Sequence, residues 1–165
     1  MAVTTASVAG SVVASLPIDP DGVVRRAAGV VLPVRDGAHQ IMVTDDGGRA
    51  LVPNLRANVL EQIRFDAETG ALVDADLPAF EVGPGFAPRH LAFHPTRPMA
   101  YLLNERGGTV DQLVLDGDEI RFEATFPYQP ASHDGDAWGA QILVGGDGRF
   151  LYTSERNSST VQVHA

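Results

Sequence analysis

The stretch that decides the fold reads Pro88-Arg89-His90-Leu91-Ala92-Phe93-His94-Pro95, followed by Tyr101-Leu102-Leu103-Asn104-Glu105-Arg106-Gly107-Gly108-Thr109-Val110. A diluted copy of the second segment reads Tyr152-Thr153-Ser154-Glu155-Arg156-Asn157-Ser158-Ser159-Thr160-Val161, and a weaker one begins at Leu51. Tyr101 and Tyr152 are 51 positions apart, and Leu51 precedes Tyr101 by 50. Short β-like runs repeated at this spacing are typical of a β-propeller with four-stranded blades. The sequence therefore predicts an all-β fold.

Each repeat can be divided into strands and turns. Pro95 and Pro98 exclude a helix after the first strand of the middle repeat, and Gly107-Gly108 supplies the next turn because glycine reaches positive φ without a Cβ clash. The strands predicted for this repeat are 89–93, 99–104, 109–115 and 119–126. The preceding repeat gives 39–43, 49–54, 59–65 and a looser 72–82. The last gives only 140–144, 150–154 and 160–164, so its fourth strand is missing.

These strands predict one partial propeller domain over residues 1–165. Its predicted parts are a blade remnant over 1–36, which includes a strand at 11–18, blades over 37–86 and 87–136, and an incomplete blade over 137–165. Closed propellers have about four to eight blades, so about three blades form an open arc. Open arcs leave unpaired strands and apolar faces, and we therefore expect self-association through the open edges.

Composition excludes several kinds of chemistry. The chain has no cysteine, and its 12 basic residues are all arginine, so thiolate metal sites, Schiff-base lysines and P-loops are excluded. A formal net charge of −9 argues against nucleic acid as a partner. No run of about 18 apolar residues predicts a membrane span, and residues 2–16 lack the basic start of a signal peptide. We expect a cytoplasmic protein.

Other short motifs have structural interpretations. Gly83-Pro84-Gly85 begins like a dinucleotide fingerprint, but the prolines around it favour a loop. The Asp-Gly pairs lack the remaining ligands of a calcium loop and are ordinary hairpin turns. Trp138 is interpreted as core and His90 as structural. The residues predict no metal and no cofactor.

The motifs Pro88-Arg89-His90 to His94-Pro95, Tyr101 to Glu105, and Asp147-Gly148-Arg149 to Arg156 together resemble the lactonase family of seven-bladed β-propellers. This family includes 6-phosphogluconolactonases and carboxymuconate-lactonizing enzymes. The similarity extends from His39 to Val163 and corresponds to the middle of the family's chain. It implies that about three of seven blades are present and that the chain is partial.

The resemblance implies a site of charged side chains around the central channel, formed by His39, Arg89, Glu105 and Arg156. Glu105 and Arg156 occupy equivalent positions of successive repeats, so we expect their side chains to converge. The chain departs from the family pattern at Glu155, where asparagine is usual, and at Gln141, where an acidic residue is common. The structural alternatives are a strand hydrogen bond for His39 and surface ion pairs for the arginines.

The activity implied by the resemblance is hydrolysis of a small anionic sugar lactone, with 6-phosphogluconolactone giving 6-phosphogluconate in the pentose phosphate pathway. Arg89 and Arg156 would bind the anion and stabilise the oxyanion, while Glu105 or His39 activates water and the other donates a proton. Two alternatives remain open, a lactonizing cyclase acting on a muconate-type dicarboxylate and a non-catalytic binding propeller. The sequence leaves open whether the chain, as a fragment, is active alone.

Overall fold

The computed structural model describes residues 2–7, 10–24, 30–73 and 77–165. Every regular element in these ranges is a β-strand, which confirms the predicted all-β class. Within the same ranges there is accordingly no helix of the length and apolarity that crossing a membrane requires. The chain divides into two compact units, Met1–Ala79 and Phe80–Ala165.

The first unit contains two antiparallel sheets. The first sheet is formed in sequence order by β1 (Ala2–Ser7), β2 (Gly10–Ser15) and β3 (Val30–Val34). The second is formed by β4 (Met42–Val43), β5 (Arg49–Asn54), β6 (Val59–Phe65) and β7 (Leu72–Val73). Every residue of β5 is buried, and Ala50 and Val52 pack with Val13 of β2 and Ile63 of β6. Apolar contacts between the two sheets thus form the core of this unit.

The second unit begins with β8 (Phe80–Glu81) and contains one four-stranded and one three-stranded antiparallel sheet. The four-stranded sheet has the order β12-β11-β10-β9, formed by β9 (Pro88–Phe93), β10 (Met99–Asn104), β11 (Thr109–Asp116) and β12 (Glu119–Pro127). The three-stranded sheet is formed by β13 (Gly139–Val144), β14 (Leu151–Glu155) and β15 (Thr160–His164). Leu103, Val110 and Tyr128 pack with Ile142 and Leu151 in the core. A meander of four strands is the blade expected of a propeller.

The turns repeat as closely as the strands do. The last residue of the turn after the second strand has positive φ in all three copies, 61° at Asn58, 69° at Gly108 and 53° at Ser159. One backbone hydrogen bond recurs as well, from Leu55 N to Gly37 O (2.9 Å), Glu105 N to Ala87 O (2.8 Å) and Arg156 N to Trp138 O (3.1 Å). The internal repeat therefore extends to backbone geometry.

The predicted strand at 39–43 is shorter in the structure. Only Met42–Val43 pairs with β5, and a single bridge joins Ala38 to Asn54. Pro53 explains the break, because it accepts the His39 N–H at 3.0 Å but has no N–H to return. Leu103 stands at the equivalent position of the next repeat, and there the strand is continuous over Pro88–Phe93.

Two other predicted strands are also shorter. The loose strand predicted at 72–82 is present as Leu72–Val73 and Phe80–Glu81, and residues 74–76 lie outside the described residues. The strand predicted at 11–18 ends at Ser15, and Ile18 instead forms an isolated bridge with Val24 across a turn at Gly22. Pro17 and Pro78 stand in the unpaired parts of these two segments, where they cannot donate a backbone hydrogen bond to a ladder.

Candidate active site

Glu105 is the centre of a charged cluster in the second unit. It follows directly after β10, and its side chain retains only 9% of its full exposure. Its Oε2 lies 2.9 Å from Arg89 Nε and 2.8 Å from Arg156 Nη2. The structure therefore brings together three of the four residues predicted from the sequence, and the predicted convergence of Glu105 and Arg156 is present as a direct ion pair.

Arg89 is held on several sides. Its Nη1 donates to the carbonyl of Ala140, and its side chain is 15% exposed. Burial lowers the pKa of Arg89 and the positive charge of Arg156 lowers it further, whereas Glu105 raises it. The guanidinium remains charged, because arginine does not lose its proton in proteins. Arg89 therefore offers its positive charge to an anion in a poorly solvated environment.

The Nε–H of Arg89 is close to Glu105 without pointing at it. The 2.9 Å separation is an ion-pair contact, yet Nε is a buried nitrogen that lacks a hydrogen-bond partner among the described residues. A buried donor with imperfect hydrogen-bond geometry calls for an explanation, and a functional role is one of the explanations open to it.

Arg156 is fixed by the first residue of β13, Gly139, and by Trp138 before it. Its Nε donates to the Trp138 carbonyl (3.0 Å), its Nη2 donates to the Gly139 carbonyl (2.7 Å), and its Cζ lies 4.1 Å from the centroid of the Trp138 ring. The interpretation of Trp138 as core is wrong, since the residue is 39% exposed. Its indole instead stacks with a guanidinium, a contact worth about 0.5–1 kcal/mol at an exposed position.

Arg106 is a further cation that the sequence analysis passed over. Its Nε lies 3.6 Å from Glu105 Oε1, and its Cζ lies 5.9 Å from the Trp138 ring centroid. The three guanidinium groups therefore approach both oxygens of Glu105. The repeat itself could have placed Trp138 beside Arg156. Trp138 stands in register with Ala87, whose carbonyl accepts the Glu105 N–H, and Arg156 is the equivalent of Glu105.

Tyr128 supports the backbone beneath the cluster. Its hydroxyl donates to the carbonyls of Glu105 (2.9 Å) and Asn104 (3.3 Å), and the residue is fully buried. Burial raises the pKa of Tyr128 to about 12, so the hydroxyl stays a donor. Gly139 makes room for it, because a Cβ there would lie 2.4 Å from the Tyr128 oxygen. This contact fixes where Glu105 leaves its strand.

Glu155 does not add a free negative charge beside Arg156. It is 3% exposed, and its carboxylate accepts hydrogen bonds from Trp138 N (2.7 Å), Ser158 Oγ (2.7 Å) and Ser158 N. Burial alone would raise the pKa of Glu155, but these hydrogen bonds outweigh it and hold the pKa below its ordinary value. Glu155, which stands where asparagine is usual in the family, therefore stabilises the turn that carries Arg156.

His39 belongs to the first unit, where its side chain is exposed and its backbone N–H donates to Pro53 O. It precedes Arg89 by 50 positions and so occupies the equivalent place of the preceding repeat. Its inclusion in the site stays a prediction, and Arg89, Glu105 and Arg156 are the residues whose contacts carry the site.

A cavity elsewhere in the second unit involves different residues. It measures about 150 Å³ and is lined by side chains that include Tyr101, Phe126, Phe150 and His164. Burial lowers the pKa of His164, which also stacks against Phe126 with a centroid distance of 5.3 Å. No residue of the Glu105 cluster lines this cavity, which lies between the β-sheets. The chemistry of the charged cluster makes it the better candidate.

The sequence profile of the seven-bladed β-propeller lactonases matches residues 1–165. The chain is 32% identical over 166 residues to the 6-phosphogluconolactonase of Serratia proteamaculans, covering 96% of this chain and 48% of that protein. It is 33% identical over 144 residues to the 6-phosphogluconolactonase of Photorhabdus laumondii, covering 87% of this chain and 43% of that protein. The chain thus spans about half the length of the curated relatives it matches.

Solved structures give the same result. The periplasmic gluconolactonase of Pseudomonas aeruginosa superimposes with a TM-score of 0.82 at 25% identity, over 98% of this chain and 52% of that one. A putative 6-phosphogluconolactonase from Bacteroides fragilis superimposes with a TM-score of 0.77 at 23% identity, over 97% of this chain and 51% of that one, a likeness of fold. With its whole length matched by the family profile, this chain belongs to the lactonase family of seven-bladed β-propellers.

Proposed function

We propose that the protein hydrolyses a sugar lactone, with 6-phosphogluconolactone as substrate and 6-phosphogluconate as product. One observation carries this proposal: Glu105 Oε2 is shared by Arg89 and Arg156 at 2.9 and 2.8 Å in a poorly solvated cluster. A carboxylate can accept a proton from the attacking water, and guanidinium groups can bind the anion and stabilise the oxyanion. The curated relatives named as 6-phosphogluconolactonases support the choice of substrate.

The arginines supply the binding of negative charge. Arg89, Arg106 and Arg156 approach one carboxylate in a chain whose formal net charge is −9, so the cluster is a local exception to the acidic surface. Guanidinium groups bind phosphate and carboxylate through paired N–H donors. The same donors can stabilise the oxyanion that develops on the lactone carbonyl, which is worth about 3–4 kcal/mol for one well-placed donor.

Glu105 is the proposed proton acceptor. Its Oε2 carries the two short ion pairs, while Oε1 lies 3.6 Å from Arg106 Nε. Oε1 accepts a proton as water adds to the carbonyl carbon and forms a tetrahedral oxyanion. The ring carbon–oxygen bond then breaks, and a proton passes to the departing ring oxygen, for which His39 is the proposed donor. Water is consumed, Glu105 and His39 regain their starting protonation states by exchange with solvent, and the products are a carboxylate, a hydroxyl group and one proton.

We further propose a cytoplasmic location and a place in the pentose phosphate pathway. Both follow from the substrate, since a phosphorylated sugar lactone is an intracellular metabolite. One structural neighbour is a periplasmic gluconolactonase, so location is a point on which relatives differ. Recovery of the protein in a periplasmic extract, with a marker of the cytoplasm absent from that extract, would overturn this part of the proposal.

The 165-residue chain, made alone, is also proposed to self-associate. Leu143, Tyr152 and Val163 pair across β13, β14 and β15, and they are 57%, 38% and 57% exposed. An apolar row of this kind favours association, because it removes hydrocarbon from water. Sedimentation velocity over a range of concentrations measures it, and a single monomeric species at every concentration contradicts it.

Site-directed variants of the full-length gene product test the activity. Glu105→Gln removes the proton acceptor and keeps its shape, so kcat should fall by about 10²- to 10⁴-fold. Arg89→Ala and Arg156→Ala should mainly raise KM for the phosphorylated lactone. Arg149→Ala is the matched control, since Arg149 is 71% exposed and forms an ion pair with Asp147 of its own turn at 3.3 Å.

The assay must subtract spontaneous ring opening, which is measured in parallel without protein. Equal turnover by the Glu105 and Arg149 variants would remove Glu105 from the mechanism. Binding of the lactone with no turnover above the spontaneous rate by the wild-type protein would refute the hydrolase and favour the binding propeller.

A further inference from the structure

We propose that His90 and Gln141 form a positioning pair that sets the orientation of Arg89, and that this pair is a determinant of affinity for the anionic substrate. The inference rests on the proposed function, because it assigns two further residues to the same site. Both residues act through Arg89.

Two equivalent β-bulges place the pair. In β9, His90 pairs with Leu103 and Pro88 with Asn104, so Arg89 is an extra residue in the strand. In β13, Gly139 pairs with Glu155 and Ile142 with Thr153, which leaves two residues opposite one. A bulge breaks the alternation of side chains and re-aims them, and bulges are common beside active sites. Here the two bulges lie in facing end strands of neighbouring sheets.

The hydrogen bonds of Gln141 define the state of the His90 ring. Gln141 Oε1 accepts the backbone N–H of Ile142 at 3.1 Å, so this atom is the oxygen of the amide. The same oxygen lies 2.6 Å from His90 Nδ1. Because an amide oxygen only accepts, Nδ1 must carry the proton and donate it. Gln141 thereby selects the Nδ1-protonated ring and holds its orientation.

The oriented ring then supports Arg89. Arg89 Nη1 lies 3.2 Å from both His90 ring nitrogens. In the ring plane, an atom equally close to both nitrogens would collide with Cε1, which lies between them. Arg89 Nη1 therefore lies over the ring face and not on the axis of either nitrogen. A planar guanidinium stacks well in this way on an aromatic face. The His90 ring, the Ala140 carbonyl and Glu105 Oε2 together hold the Arg89 guanidinium.

Gln141 is suited to a functional test because its side chain is exposed and contributes little to the core. Its removal should therefore leave folding intact while allowing the His90 ring to rotate. A misplacement of about 1 Å in a binding group can cost about a hundredfold in catalysis. A purely structural residue at an exposed position would have no such effect.

Steady-state kinetics of Gln141→Leu and Gln141→Glu in the full-length gene product test the inference. Gln141→Leu keeps the size of the side chain but removes the acceptor, so KM for 6-phosphogluconolactone should rise about ten- to a hundredfold with a smaller change in kcat. Gln141→Glu keeps an acceptor for Ile142 and His90 and should restore KM. Gln162→Leu on β15 is the control and should match the wild type.

An NMR measurement separates this inference from the proposed function. The ¹⁵N shifts of the His90 ring in the wild-type protein should show protonation at Nδ1, whether or not the protein hydrolyses a lactone. Wild-type KM and kcat in Gln141→Leu, or a His90 ring protonated only at Nε2, would overturn the positioning pair. An inactive wild type with the Nδ1-protonated ring would instead overturn the hydrolase and leave the pair in place.

Discussion

Replacing Gly139 with alanine should destabilise the protein strongly, although the new side chain is a single methyl group. Its Cβ would lie 2.4 Å from Tyr128 Oη, 2.7 Å from Tyr128 Cζ and 2.8 Å from Leu103 Cδ2. Tyr128 and Leu103 are both 0% exposed, so neither can turn toward solvent to avoid the contact. The backbone of Gly139 has no positive φ, and the steric contact is therefore the cause of the effect.

The magnitude follows from two contributions. Overpacking of a buried site costs about 1–3 kcal/mol. Displacing Tyr128 also breaks its 2.9 Å hydrogen bond to the Glu105 carbonyl and leaves a buried hydroxyl unpaired, which costs about 1–3 kcal/mol more. Alanine returns only about 0.4–1 kcal/mol by restricting the unfolded chain. We expect a net loss of about 1–6 kcal/mol, compared with the 5–15 kcal/mol typical of a domain.

Urea unfolding of matched variants measures this loss. Gly146→Ala is the control, because a Cβ there meets nothing within 4 Å and its φ is not positive. In a double-mutant cycle, Gly139→Ala should cost less when Tyr128→Phe has already removed the oxygen that the methyl group meets. Equal unfolding midpoints for the Gly139 and Gly146 variants would show that Tyr128 does not pack closely against Gly139.

Three further predictions concern the same unit. Trp138→Ala should raise KM about two- to fivefold by removing the stacking contact with Arg156, and Trp138→Phe should recover part of the loss in steady-state kinetics. Glu155→Gln should lower the free energy of unfolding by about 1–2 kcal/mol at pH 7. Because the folded-state pKa of Glu155 is depressed below its ordinary 4.5, that difference should persist above pH 4.5 and vanish as pH falls through the lower value, as unfolding curves against pH will reveal. Gly148→Ala should destabilise more than Gly117→Ala in urea unfolding, since both have positive φ but only Gly148 faces His94, whose Cε1 would lie 2.7 Å from the new Cβ.

Periodicity was sufficient to predict the sheets of the second unit. The strands predicted at 99–104 and 160–164 have the same bounds in the structure, and the others there differ by one or two residues at an end. Convergence of Glu105 and Arg156 was also predictable, since residues at equivalent positions of successive repeats project alike. The repeat did not reveal that Pro53 would shorten a pairing, because its effect depends on which side of β5 the missing N–H faces.

The site was less predictable where strands depart from regular alternation. His90 was interpreted as structural, and its contact with Gln141 depends on a bulge in each of two strands that no pattern of apolar residues records. Trp138 was assigned to the core on hydrophobicity alone, whereas a neighbouring guanidinium covers its ring at 4.1 Å. The error at Trp138 arises because its partner, Arg156, lies 18 positions away in the sequence, and hydrophobicity alone does not reveal such a contact.

One position of the repeat separates what the fold requires from what the site requires. Leu55, Glu105 and Arg156 follow the second strand of each repeat, and their backbone N–H groups donate to equivalent carbonyls at 2.9, 2.8 and 3.1 Å. The turn therefore forms equally well with an apolar, an acidic or a basic side chain. Since the backbone accepts all three, the opposite charges at 105 and 156 are not needed to build the turn. Their 2.8 Å ion pair, joined by Arg89, is better explained by the chemistry of the site.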